Sequence, residues 1–155
     1  MIDDIYLFER VLGNINLLTV QNSGYSGTPL AKKLGMKDGS RVLLLHAPEN
    51  YFDLFTQLPA VTFLKPGPAK ADIIHYFVTR EKDLIRHISM LRQRIHEDGM
   101  IWISWPKKAS KVQTDITEDV IRHHALDNGL VDIKVCAVNE VWSGLKLVIP
   151  VKSRK

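Results

Sequence analysis

Three short apolar runs set the firmest limit on what this chain can fold into. Val42 to Leu45 is wholly apolar, Ile73 to Val78 is broken only by His75, and Met100 to Trp105 only by Ser104. A strand covered on both faces reads as such a run, whereas a strand with one wet face alternates. Between the second and third runs, Leu84, Ile85, Ile88, Leu91 and Ile95 recur at spacings of one, three and four, forming one helical stripe over Glu81 to Glu97. Glu81 and Asp83 favour the first turn of this helix, and Gly99 is the expected stop. Buried strands alternating with helices imply right-handed βαβ units and a mostly parallel sheet.

The remaining elements are weaker. Residues 1–23 read as an extension, with Ile2, Ile5, Leu7 and Phe8 on one side of a short helix and Ile15 to Val20 as a strand. Gly24 to Pro29 (GYSGTP) punctuates the chain. It reads as a plain turn, with a phosphate-binding or lid loop as the alternative. A short helix follows at Leu30 to Leu34, another at Tyr51 to Leu58, and a brief strand at Val61 to Leu64. Asp115 to Asn128 is predicted helical, capped by Thr114 or Asp115. Val131 to Val138 alternates, so Val131, Ile133, Val135 and Ala137 are expected to face the core of an edge strand. Leu145 to Val151 returns antiparallel to it. A single Rossmann-like α/β domain over 24–151 results, a three-layer sandwich with a C-terminal antiparallel hairpin and a basic tail at 152–155. The order of elements resembles a truncated class I methyltransferase fold.

The chain has 155 residues, enough to bury a core without disulfide or metal. Its single cysteine, Cys136, fits a reducing compartment. The acidic N-terminus does not resemble a secretory signal, and no apolar stretch approaches membrane-spanning length. A cytoplasmic protein without membrane contact is expected. The net charge of +4 permits an anionic partner without demanding one.

Methyltransferase chemistry finds little support in the residues. The first strand runs into His46-Ala47-Pro48-Glu49-Asn50-Tyr51, with no glycine between Gly39 and Gly67 to admit a ligand to the backbone. Lys65 follows the second strand where an acid would hold ribose hydroxyls. Thr79-Arg80-Glu81 replaces the Asn/Asp-Pro-Pro-aromatic loop of amino-methyltransferases. S-adenosylmethionine is therefore disfavoured as a cofactor, although the Asn50 region, with Tyr51 or Phe52 near an adenine, could cradle an adenosine.

Other residues mark a candidate ligand face at the strand ends: His46, Asn50, Arg80, Ser104, Lys107, Lys108 and Thr114. His46 reads equally well as a ligand contact or general base and as a strand-end histidine satisfied by backbone. Lys107, Lys108 and Lys111 precede a helix N-terminus, where anions bind, or form a solvated loop. His75 reads as a core histidine with a local partner, His87 and His96 as wet helix positions, and His124 as packing. His123 and His124 are expected to point apart, and no metal site is expected. Trp102 and Trp105 are expected on one face of their strand, with only Trp105 placed to stack on a base. No GxSxG elbow exists, and Cys136 has no obvious base nearby.

Three segments together, GYSGTPLAKKLG (Gly24 to Gly35), SWPKKASKVQTDITEDVIR (Ser104 to Arg122) and VDIKVCAVNEVWSGLKLVI (Val131 to Ile149), resemble a bacterial family catalogued as domain of unknown function 3052. The resemblance implies a bacterial cytoplasmic protein with a Rossmann-like fold and transfers no mechanism. The leading expectation is a non-catalytic binding domain for a small anionic or nucleotide-like ligand or a protein partner. A degenerate S-adenosylmethionine-dependent methyltransferase, a nucleic-acid-associated basic protein and a homo-oligomer contact are the alternatives.

Overall fold

The computed structural model describes residues 28–155. The expected extension at 1–23 and most of the Gly24 to Pro29 break lie outside the described residues. Six strands form one sheet: β1 (Arg41–Leu45), β2 (Thr62–Phe63), β3 (Ala71–Phe77), β4 (Ile95–Pro106), β5 (Val131–Ala137) and β6 (Trp142–Val148). The helices are α1 (Leu30–Lys33), α2 (Glu81–Arg94) and α3 (Glu118–Asp127), with short 3-10 turns at Tyr51–Leu54, Lys108–Ser110 and Val151–Ser153. The strand order is β2-β1-β3-β4-β6-β5. β1 pairs in parallel with β2 and β3, and β3 with β4, while β6 runs antiparallel to both β4 and β5. This is the mostly parallel, Rossmann-like sheet with a closing antiparallel hairpin that the apolar runs predict.

Strand alternation divides the core into two layers. Leu43, Leu45, Ile74 and Tyr76 pack with Leu84, Ile88 and Leu91 of α2 and Ile121 and Ala125 of α3. Val42, Leu44, Ile73 and Phe77 pack on the other side with Leu30, Ala31 and Leu34 and with Tyr51, Phe52 and Phe55. Trp102 belongs to the second layer and Trp105 to the first. The two tryptophans therefore lie on opposite faces, as three steps along a two-residue period require, and Trp105 is buried away from any base.

Several boundaries depart from expectation. The 81–97 helix ends at Arg94, and the chain passes directly into β4 at Ile95. Ile95 remains on the buried stripe, but as the first strand residue pairing with Ala71. Gly99 is not a helix stop. It lies in β4 at a register shift, where an added Cβ would stand 2.8 Å from the Asp72 carbonyl oxygen. The helix at 51–58 is a single 3-10 turn. α3 begins at Glu118, and its cap is Thr117, whose hydroxyl accepts from the Val120 N–H at 3.1 Å. On β5 the alternation fails. Ile133 and Val135 are 53% and 46% exposed, while Cys136 packs on the α1 side. A register shift between Asp132 and Lys134 on this edge strand breaks the two-residue period. At the C-terminus, Arg154 donates to the Ile149 carbonyl and the Lys155 N–H donates to Glu97. No helix among the described residues is long and apolar enough to cross a membrane.

Candidate functional site

In a parallel sheet the loops that leave the C-terminal strand ends gather on one edge, where ligands bind. β1 ends at Leu45, and His46 follows with φ 56°. This left-handed backbone favours glycine and is uncommon for other residues, although histidine tolerates it better than most. The chain turns sharply at the position where a glycine-rich loop would begin, but with an imidazole attached. The His46 ring lies 5.7 Å from Tyr76, edge to face, and 5.4 Å from His87. The Tyr76 hydroxyl and His87 Nδ1 are hydrogen-bonded at 2.8 Å. His87, expected on the wet side of its helix, is buried. It falls between Leu84 and Leu91 on the same stripe, and the Tyr76 hydroxyl engages its Nδ1.

His46 lines a cavity of about 150 Å³ together with Tyr76, Thr79, Asp83 and Trp142. A larger cavity of about 530 Å³ opens beside it, lined by Thr79, Arg80, Lys82, Gln113, Thr114 and Asp115. Thr79 borders both. The residues after β4 close this edge by reaching back to the β3–α2 junction. The Thr114 hydroxyl donates to the Thr79 carbonyl at 2.6 Å and accepts from the Ile116 N–H at 3.0 Å. Asp115 Oδ1 accepts from the Glu81 N–H at 2.7 Å. These two side chains, expected to cap α3, instead fasten the loop and cap α2 from a distant part of the chain. With its carboxylate so engaged, the cavity wall keeps two cations, Arg80 and Lys82. Neither has an ion-pair partner among the described residues.

Of the expected ligand face, Arg80 and Thr114 line the larger cavity and His46 the smaller one, with Thr79 between them. Asn50 is exposed at the start of the 3-10 turn and borders neither cavity. Lys107 is half-buried, with its N–H donated to the Val141 carbonyl, and Lys108 is exposed in its own 3-10 turn. The lysine loop does not run into the α3 N-terminus, because residues 111–117, neither helix nor strand, intervene and Thr117 takes the cap.

Ser104 is not on the ligand face. It is fully buried, and its Oγ lies 2.8 Å from His75 Nε2. His75 Nδ1 lies 3.0 Å from the Tyr51 hydroxyl, so the core histidine has two local partners. Burial pushes the His75 imidazole down to about 3 and raises the Tyr51 phenol. The imidazole is thus neutral, and this Tyr51–His75–Ser104 chain is a satisfied core network. Tyr51 and Phe52, the expected adenine contacts, are buried among Phe55, Phe63 and Phe77 and cannot stack on a base.

His124 is not simply packed. Its Nε2 lies 2.7 Å from Glu81 Oε2, joining α3 to α2. His96 lies in β4 rather than on a helix and is half-buried. Thr79, Lys82, Gln113, Asp115, Tyr76 and His87 were not legible as site residues. They come from two separate segments, 76–87 and 113–115, and no motif links them.

The fold and strand order define a Rossmann-like α/β domain with a methyltransferase-like sheet. The chain belongs to the family described as a protein of unknown function (DUF3052), whose match covers residues 69–151. No curated protein matches it. Among solved structures it is similar to a ribosomal protein L11 methylase from Lactobacillus delbrueckii subsp. bulgaricus, at 17% identity and a TM-score of 0.44 over 77% of this chain and 62% of that one. The chain thus spans less than two thirds of that protein. It is also similar to the magnesium protoporphyrin IX methyltransferase of Synechocystis PCC 6803, at 14% identity and TM-score 0.49, covering 94% of this chain and 82% of that one. A fibrillarin pre-rRNA processing protein from Methanococcus jannaschii aligns at 9% identity and TM-score 0.47, over 81% and 71% of the two chains. The strand order, rather than any of these likenesses, carries the class.

Proposed function

We propose that this domain binds a small anionic or nucleotide-like ligand at the C-terminal edge of its parallel strands, without catalysing a reaction on it. The observation that carries this reading is the pair of adjoining cavities, one turning on the left-handed His46 and the other walled by Arg80 and Lys82. Two cations without ion-pair partners among the described residues, beside a hydroxyl and an amide, suit phosphate or carboxylate oxygens. Asp115 already holds the nearby helix N–H, so the side chains of Arg80 and Lys82, rather than the helix end, are the anion contacts.

A degenerate S-adenosylmethionine-dependent methyltransferase is the second reading, favoured by the strand order and by the sharp backbone turn after β1. A thermal-shift screen separates the two. The panel holds nucleotides, dinucleotides, sugar phosphates, simple anions, S-adenosylmethionine and S-adenosylhomocysteine. Saturation near a hundred times Kd stabilises by about 2.7 kcal/mol, several degrees for a domain this size. A phosphate-bearing ligand whose shift disappears in Arg80→Ala supports the proposal. A shift confined to the two adenosyl compounds transfers the assignment to the methyltransferase reading. No shift across the panel overturns both and favours a protein partner.

A further inference from the structure

The exposed side of α3 carries a second constellation, none of whose residues lines either cavity. His123 and His124 were expected to diverge, but their ring centroids stand 5.1 Å apart. Asp127 lies one helical turn beyond His123, on the same side of the helix, and its Oδ2 is 3.6 Å from His123 Nε2. One donor atom from each of His123, His124 and Asp127 falls within 4.8 Å of the others.

We propose that His123, His124 and Asp127, with Glu81 of α2 behind His124, form a site for a first-row divalent transition-metal ion. Ligand bonds to such an ion run about 2.0–2.2 Å, so donors around one tetrahedral centre stand about 3.3–3.6 Å apart. His123 and Asp127 are exposed, and modest rotation of their side chains closes the set. Two imidazole nitrogens and a carboxylate suit zinc, cobalt, nickel or copper, and the oxygen-seeking magnesium and calcium poorly.

The fourth group supports the same reading. Glu81 Oε2 lies 2.7 Å from His124 Nε2, the carboxylate–histidine pairing that fixes ring orientation and raises basicity at metal sites. His124 is also held from its backbone, since the Asn128 side-chain amide donates to its carbonyl at 2.9 Å. The neighbouring Ile121 and Ala125 are fully buried, so this part of α3 is a fixed platform. A bound ion would be held by α3 alone and leave its remaining coordination positions open to water, while Glu81 supports it from the first turn of α2.

The test is a calorimetric titration of Zn²⁺ into the chelator-treated full chain, with the visible spectrum of Co²⁺ as an independent readout. One ion per chain is expected, with Co²⁺ absorption of nitrogen–oxygen coordination. His123→Ala and Asp127→Ala alter exposed positions and should fold as the parent does, which far-UV circular dichroism checks. Each should weaken binding at least tenfold. Glu81→Gln should weaken it about ten- to a hundredfold, as the loss of an outer-shell partner does. His96→Ala, in β4, should leave it unchanged. No uptake by the parent chain, or uptake unaffected by His123→Ala and Asp127→Ala, would overturn the assignment.

Discussion

His46 and His75 are one strand apart and chemically opposite. His46 holds a left-handed backbone that costs a non-glycine residue about 1–2 kcal/mol. Its ring recovers part of this against Tyr76 and His87. His46→Gly should therefore change stability by less than about 1 kcal/mol, because relieved strain offsets the lost ring contacts and the added chain entropy. His46→Val, β-branched at a positive φ, should cost more than about 2 kcal/mol. Urea unfolding of the two variants measures the difference, and equal losses would mean that the backbone is not strained there.

His75 makes a pH prediction. Its folded-state value is near 3, while the unfolded chain titrates near 6.5. The unfolded state therefore takes up this proton first as pH falls. The contribution is complete above about pH 6.5 and is lost towards pH 3, at about 1.4 kcal/mol per pH unit. Stability measured between pH 6 and 4.5 should fall with nearly this slope in the parent and much less in His75→Gln. A parent curve flat over that window would contradict the neutral buried imidazole. His75 was legible as a core histidine, since it interrupts an apolar run. Its partners were not, because Tyr51 and Ser104 lie 24 and 29 residues away.

At the scale of elements, burial on both faces made β1, β3 and β4 readable, and the stripe Leu84–Leu91 made α2 readable. The ends were harder, because the cap of α2 comes from elsewhere in the chain. Asp115 looks like a cap for the helix that follows it but accepts from Glu81, 34 residues back. Thr117 does the local work. Thr117→Ala should cost about 1 kcal/mol, typical of a lost N-cap. Asp115→Ala should cost a similar amount and also weaken ligand binding, since the loop it fastens forms a wall of the larger cavity. Thermal unfolding reads the first effect, and titration with the ligand found in the screen reads the second. Gly99 was mistaken for a helix stop because glycine is common there, whereas the close Asp72 carbonyl is what requires it. Gly99→Ala should lose about 2 kcal/mol through overpacking, visible in the urea midpoint.

Across the whole molecule, the sheet edge gathers residues that no motif connects. His46 follows β1, Thr79 and Arg80 follow β3, and Gln113 to Asp115 return from the loop after β4. The sequence pattern was sufficient to predict the layers and the edge on which these loops meet. It was insufficient to show that Ser104 points into the core, or that the lysines of 107–111 lie off the cavity. Side-chain direction at a strand end depends on register, and register here is set by pairings across the sheet.

Ligand binding at the His46 and Arg80 cavities is proposed, and titrating adenosine diphosphate into ¹⁵N-labelled protein while following amide shifts tests it. Saturable shifts are expected at residues 46, 79–82 and 113–115, lost in Arg80→Ala. Shifts centred on 107–111 or on β5, or none at millimolar nucleotide, would contradict it.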